Sequence, residues 1–321
     1  MKVRTVDKFK GALLGCAVGD ALGAPLEGMD AQSIRKAHGR VTDFIDDRFG
    51  AGRITDDTQM TVVLAHSILE LGKFDKDHTG LKFGRWIAAS DEGVKEARGV
   101  GMASATASRR LHANVPAEES AVDSAGCGAA MRVSPIGLRY FDNMEALYDA
   151  ALAQALLTHK DPRAVAGSAA IARAVAAGIQ DEGELDRARL AADIGAFIAG
   201  IEGGLSAKVS GLADYLDATP EEGFAYTGTG GIASETVPGA LFAFLRSPYD
   251  FEETVVTAAN AGGDTDSLAA MAGAVSGAFN GMGSIPQRWK KGVEGSEYLE
   301  SVAYRLYTLT PAYQRPKRAL W

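Results

Sequence analysis

Apolar and polar positions alternate with a helical period along almost the whole chain. Over 7–18, Phe9, Leu13 and Ala17 share one stripe at i, i+4 and i+8, the spacing of an amphipathic helix. Met60, Val63, Leu64, Ser67, Ile68 and Leu71 repeat it, and Gly72 follows where a C-terminal cap glycine belongs. Asp161-Pro162 reads as an N-cap with proline at the first helical position, opening a helix of small residues over 164–177. Further helices are expected over 185–201, 238–246, 251–261 and 267–279. Period-two alternation is nearly absent, and 39–45 is the best candidate strand. The pattern predicts an all-α fold, one domain spanning 1–321, with the Ala/Gly-rich 267–279 helix at its centre.

Composition changes that picture little. The 321 residues are 46% hydrophobic and 23% charged, ordinary for a globular protein. Lys+Arg at 33 against Asp+Glu at 41 leaves a net charge of −8, with no dense basic block, so a nucleic-acid partner is not expected. Two cysteines, Cys16 and Cys127, make neither a disulfide framework nor a four-ligand zinc site. Lys8 and Lys10 ahead of Gly11-Ala12-Leu13-Leu14-Gly15-Cys16 imitate a lipoprotein signal. The apolar run is shorter than the about 7–15 residues of an export segment, so this stretch is read as the first helix. No stretch reaches the roughly 20 strongly apolar residues of a membrane span. A cytoplasmic monomer is the expectation.

Two acidic clusters carry the candidate chemistry. Thr55-Asp56-Asp57-Thr58 precedes the helix from Met60, and Asp264-Thr265-Asp266-Ser267 precedes the helix from Leu268. Helix capping is the plain reading of either one. A cap, however, uses one side-chain acceptor, and each cluster offers two carboxylates and two hydroxyls. Four converging carboxylates would repel one another, and a hard divalent cation relieves that, because Mg²⁺ and Mn²⁺ prefer carboxylate, hydroxyl and water oxygens. If the clusters meet, they suit a two-metal site.

Other segments read as parts of a pocket. Gly19-Asp20-Ala21-Leu22-Gly23 and Glu27 are expected to close the first helix with a flexible turn and acids. Ser124-Ala125-Gly126-Cys127-Gly128 and Gly228-Thr229-Gly230-Gly231 are glycine-punctuated turns whose backbone N–H groups could cradle a phosphate. His159, just ahead of the Asp161-Pro162 helix start, reads as a structural donor or a ligand-facing group.

In this order, the pieces resemble the ADP-ribosylglycohydrolase family, which includes dinitrogenase-reductase-activating glycohydrolases and ADP-ribosylarginine hydrolases. The resemblance runs over 10–281. Gly19-Asp20-Ala21-Leu22-Gly23 with Glu27 is similar to the family's opening motif. Thr55-Asp56-Asp57-Thr58 and Gly263-Asp264-Thr265-Asp266-Ser267 are similar to its two metal signatures, and 126–138, with Ala129-Ala130-Met131-Arg132, to its substrate loop. The resemblance implies an orthogonal helical bundle with a binuclear Mg²⁺ or Mn²⁺ cleft. It implies Thr55, Asp56, Asp57, Asp264, Asp266 and Ser267 as metal ligands, and Ser124, Gly126, Cys127, His159, Gly230 and Gly231 as the holders of ADP-ribose. Glu27 matches an acid near the entrance that positions substrate or moves protons. Cys127 stands where the family loop commonly has Asn, which changes any side-chain hydrogen bond there.

The implied reaction is metal-assisted hydrolysis of the bond between ADP-ribose and an acceptor, with Asp57 or Asp266 assisting water or leaving group. The acceptor is expected to be a protein arginine, since the 19–23 motif looks like that of arginine-directed bacterial members; serine linkages and small ADP-ribose esters stay open. Three rivals are a thiol hydrolase built on Cys127 and His159, a non-catalytic ADP-ribose binder and a two-metal phosphohydrolase.

Overall fold

Gly11, Gly15, Gly19 and Gly23 recur every four residues, which places them on one face of a helix. Thr265, Ala269, Gly273 and Gly277 do the same near the C-terminal end of the chain. In the computed structural model, which describes residues 4–314, these faces meet. The first helix, Thr5–Gly23, lies antiparallel to a central helix, Thr265–Asn280, in the order 11 to 277, 15 to 273, 19 to 269 and 23 to 265. A Cβ added to Gly11, Gly15, Gly19 or Gly23 would stand 1.9–2.3 Å from a backbone oxygen of the central helix. Only glycine lets the backbones approach this closely.

This contact corrects one expectation from the sequence. The 19–23 segment is not a flexible turn but the last turn of the first helix. Its glycines serve close approach, not unusual dihedrals.

Among the described residues the chain forms eighteen α-helices and no sheet. The central helix is buried from Thr265 to Phe279. The helices Thr5–Gly23, Pro162–Gln180, Ala233–Arg246 and Phe251–Ala259 pack around it. One continuous apolar core runs from Phe9 to Leu306. The helix from Asp56 to Leu71 ends at Gly72 in the left-handed region (φ 72°), and Asp161 caps Pro162–Gln180 as expected. Lys8, part of the signal-like segment, reaches across the core so that its ammonium donates to the carbonyls of Gly178 and Asp181 at 2.8 and 2.6 Å. No described helix is long and apolar enough to cross a membrane.

Two further differences from the sequence reading have local causes. The helix expected to start at Pro238 begins at Ala233, with the proline inside it. Proline leaves the carbonyl four residues earlier without its N–H, and the Lys208 ammonium donates to that carbonyl, Ser234, at 3.0 Å. The expected strand at 39–45 is irregular chain. Its partner is a side chain: Asn260 accepts from the Val41 N–H and donates to the Val41 carbonyl, both at 2.9 Å. Of the segment from Tyr313 to the C-terminus, 315–321 lies outside the described residues, and the Tyr313 ring meets Tyr307 edge-on at 5.6 Å.

The glycine contact yields the first prediction. Gly15→Val drives a branched side chain into the Gly273 carbonyl and should destabilise by at least about 3 kcal/mol in chemical denaturation. Gly203→Ala, in a helix with nothing within 4 Å of the new methyl, should be neutral or stabilising. Equal effects of the two substitutions would contradict the close-contact account.

Candidate functional site

The glycine contact ends where Gly23 meets Thr265, whose hydroxyl donates to the Gly23 carbonyl at 2.8 Å. The C-terminal end of the first helix is thereby fixed beside the N-terminal end of the central helix. One turn back, the fully buried Asp20 carboxylate accepts from the Thr55 N–H at 2.9 Å, the Thr55 hydroxyl at 2.8 Å and the Thr58 N–H at 3.1 Å. Asp20 thus anchors the start of the Asp56–Leu71 helix. Reciprocal bonds between Gly28 and Gly263 and between Gly263 and Met29, each 2.8 Å, tie in the segment that carries Glu27.

The two acidic clusters therefore open into one cavity of about 480 Å³. It is lined by Glu27, Asp56, Asp57, Asp264, Asp266 and Ser267, and on its other wall by Ser124, Gly126, Cys127, His159, Gly230 and Gly231. Thr55 stands immediately behind, its hydroxyl between Asp20 and the Asp57 carboxylate. Among the described residues, no Lys or Arg lines the cavity.

Capping does not account for these acids. Asp30, Asp75, Asp161, Asp186 and Asp250 each use the carboxylate to cap a helix. Asp264 holds the same position on the central helix and makes no side-chain cap bond. Asp57 is 1% exposed, and its Oδ1 is buried with no hydrogen-bond partner. Oxygens of Glu27, Asp264 and Asp266 lie within 4.8 Å of one another. At that separation each pair of carboxylates repels by about 3–4 kcal/mol in a medium of effective dielectric about 20.

The protonation equilibria record the same frustration. Burial, with Asp20 next, pushes the Asp56 carboxyl up to about 8. Burial, with Asp20, Asp56 and Asp264 behind it, holds Asp57 well above the usual carboxylate range, and burial with Asp57 and Asp264 does so for Asp266. Asp20 is raised to about 6 by burial, against the hydrogen bonds that favour its ionised form. Glu27, at the mouth, is raised by partial burial and by Asp264. An orphaned buried oxygen among crowded carboxylates and hydroxyls fits a hard divalent cation, which supplies the missing positive charge.

The opposite wall is neutral and polar. Arg132 is fully buried; its guanidinium donates to the Thr158 hydroxyl at 2.7 Å and to Gln154, and burial lowers it to about 9. The guanidinium only donates, and the other partner of the Thr158 hydroxyl is His159 Nδ1, 2.8 Å away, so the hydroxyl proton is satisfied only in the tautomer whose Nδ1 accepts it. His159 then carries its own proton on Nε2, beside Gly126 and Gly128 on the cavity wall. Burial and Arg132 lower His159 to about 3, so it is a fixed neutral donor.

Several N–H groups of the glycine-rich turns are bonded within the protein. The Gly126 N–H donates to Ser124 Oγ at 3.2 Å, the Cys127 N–H to the Gly231 carbonyl at 3.0 Å, and the Gly230 N–H to Glu235 at 2.9 Å. These bonds join the two turns into one wall. Glycine is required there for space: a Cβ on Gly128 would lie 2.8 Å from both His159 Cε1 and Ser104 Oγ.

The thiol-hydrolase rival fails on this geometry. The Cys127 thiol donates to Asp264 Oδ2 at 3.0 Å and is held well above its usual range by burial and then by Asp264. His159 Nδ1 is occupied and too weakly basic to activate it.

Asp20 and Arg132 were quoted in motifs but given no role from the sequence. A charged residue within an otherwise apolar stretch was the available signal in both cases.

A family model described as ADP-ribosylglycohydrolase matches residues 1–316. The chain is 28% identical over 346 residues to the ADP-ribosylhydrolase ARH3 of Mus musculus, covering 95% of this chain and 92% of that one. It is 26% identical over 316 residues to the ADP-ribosylarginine hydrolase Tri1 of Pseudomonas putida, covering 96% and 80%. A solved structure titled ADP-ribosylglycohydrolase-related protein complex superposes with a TM-score of 0.78 at 30% identity, covering 95% of this chain and 98% of the other.

Crowded acids make a testable signature. Carboxyls raised in this way, Asp56 to about 8 and Asp57 and Asp266 well above the usual range, keep protons in the folded state that the unfolded chain has released, so they stabilise below about pH 4 and lose that contribution as pH rises through the folded value. Between about pH 7.5 and 8.5, above the titration of unfolded histidine, the metal-free protein should lose ~1.4 kcal/mol of stability per pH unit for each carboxyl still protonated, and its melting temperature should fall accordingly. Saturating Mg²⁺ or Mn²⁺ should abolish the fall. A flat metal-free profile in scanning calorimetry would contradict this electrostatic reading.

Proposed function

The chain belongs to the ADP-ribosylglycohydrolase family, and we propose that it frees ADP-ribose from arginine side chains of modified proteins. Hydrolysis of ADP-ribosylated substrates follows from the family. The arginine acceptor is supported by one observation above all: the cavity collects Glu27, Asp56, Asp57, Asp264 and Asp266, and no Lys or Arg among the described residues lines it. A guanidinium carries positive charge to that mouth, whereas a serine hydroxyl or a small ester brings none. The Pseudomonas putida relative, named an ADP-ribosylarginine hydrolase, agrees with it.

Thr55, Asp56, Asp57, Asp264, Asp266 and Ser267 would hold two Mg²⁺ or Mn²⁺ ions, which supply Lewis-acid polarisation of ribose hydroxyls and of water. Asp57, with its unbonded Oδ1, and Asp266 line the cavity; one of them would assist the attacking water or the leaving group, and the nearby carboxylates would stabilise positive charge developing at the anomeric carbon. Glu27, the exposed acid of the group, exchanges protons between the cavity and bulk water. The bond from the anomeric carbon to the guanidine nitrogen breaks, a water oxygen replaces it, and the water's proton ends on the guanidine.

His159 offers its Nε2–H to an oxygen of the substrate. Ser124 closes the same wall, with Cys127 beside it, and Gly126, Gly230 and Gly231 leave room for the ADP-ribose to lie flat. The wall contributes shape and a neutral donor.

The test is release of ADP-ribose from arginine- and serine-modified peptides, with Mg²⁺, Mn²⁺ or chelator. Arginine release should be metal-dependent, at least about tenfold faster than serine release, and reduced about 10²-fold or more in Asp57→Ala and Asp266→Ala. Faster serine release would overturn the acceptor assignment. No release from either peptide would overturn the hydrolase of proteins altogether.

A further inference from the structure

Resting on the metal-centre reading above, we propose that Cys127 makes this centre a binding site for thiophilic divalent cations, Zn²⁺ and Cd²⁺, ligated by its sulfur together with Asp264. The thiol lies on the cavity wall with Sγ 3.0 Å from Asp264 Oδ2. That carboxylate caps no helix and is free to turn toward a cation. A second feature of the same cavity independently calls for a cation: Asp57 Oδ1, on a residue 1% exposed, has no hydrogen-bond partner. Glu27 and Asp266, with oxygens within 4.8 Å of Asp264, supply further ligands.

The chemistry of the donor set decides which cations benefit. An all-oxygen centre suits Mg²⁺ and Mn²⁺, whereas a sulfur donor adds affinity for Zn²⁺ and Cd²⁺ and almost none for the hard ions. A tetrahedral zinc with sulfur at about 2.3 Å and oxygen at about 2.0 Å holds the two donors about 3.5 Å apart. The observed 3.0 Å reaches that separation with a small side-chain rotation. The cation takes the place of the thiol proton, which leaves to bulk water; no electron is transferred.

The second cysteine does not compete for this role. Cys16 is fully buried in the first helix, its sulfur 3.9 Å from the Thr61 hydroxyl, and it does not line the cavity. A cation held by Cys127 and Asp264 withdraws a carboxylate from the hydrolytic centre. Zn²⁺ and Cd²⁺ are therefore inhibitors that displace Mg²⁺ or Mn²⁺, and the Asn common at this position in the family would not confer the same preference.

The test is titration of the full chain with Cd²⁺, read by the ultraviolet thiolate-to-cadmium charge-transfer band, beside Mn²⁺ binding followed by calorimetry. Wild type should develop the band with one equivalent. Cys127→Ser should lack it, bind Zn²⁺ about tenfold or more weaker, and keep Mn²⁺ affinity within about threefold. Cadmium-113 resonance of the wild type alone should fall downfield of an all-oxygen site, a readout that needs no variant. A band unchanged in Cys127→Ser, or an all-oxygen resonance in a protein that binds Mn²⁺, overturns the proposal and leaves the metal centre standing. A protein that binds neither cation overturns the metal centre itself.

Discussion

The site depends on the contact between two helix backbones that only glycine permits. Each glycine lowers the stability of its own helix by about 0.5–1 kcal/mol relative to alanine. With six of them in the pair, neither helix is favourable alone. Together they bring backbones into contact along four turns, and the register is fixed because a shift of one residue would set Cβ atoms against carbonyls. That register places Gly23 on Thr265 and hence Glu27 beside Asp264 and Asp266.

A carboxylate that belongs to the fold then completes a centre made of carboxylates that do not. Asp20 is paired with three or more donors from Thr55 and Thr58 and is satisfied without any ligand. Asp57 is left with an orphaned oxygen, and Asp264 with a thiol and the neighbouring Asp266 carboxyl. Asp57 and Asp264 both face the cavity. Frustration of this kind weakens the empty protein and is relieved by a cation, so the stability of the fold and the function of the site are coupled through the same side chains.

Much of this was legible in the sequence. Helical periodicity identified the main helices, and the doubled carboxylates exceeded what capping needs. One reading misled. The glycines at 19–23 suggest a flexible turn, because a sequence shows the lack of a Cβ but not whether it serves dihedral freedom or proximity. The roles of Asp20 and Arg132 were hidden likewise, since both act on partners far along the chain: Thr55 for one, Thr158 and through it His159 for the other. The 39–45 segment shows the same limit, its backbone partner being the side chain of Asn260.

The central claim is that the helix contact assembles a cation centre around Asp57. Crystals grown with Mn²⁺ and measured at the manganese absorption edge test it directly. The account predicts anomalous density in the cavity, with a peak about 2.0–2.3 Å from Asp57 Oδ1 and others of the Asp56, Asp264 and Asp266 oxygens completing its shell. A cavity free of anomalous density, with Asp57 Oδ1 bonded to water or to the protein, would contradict it.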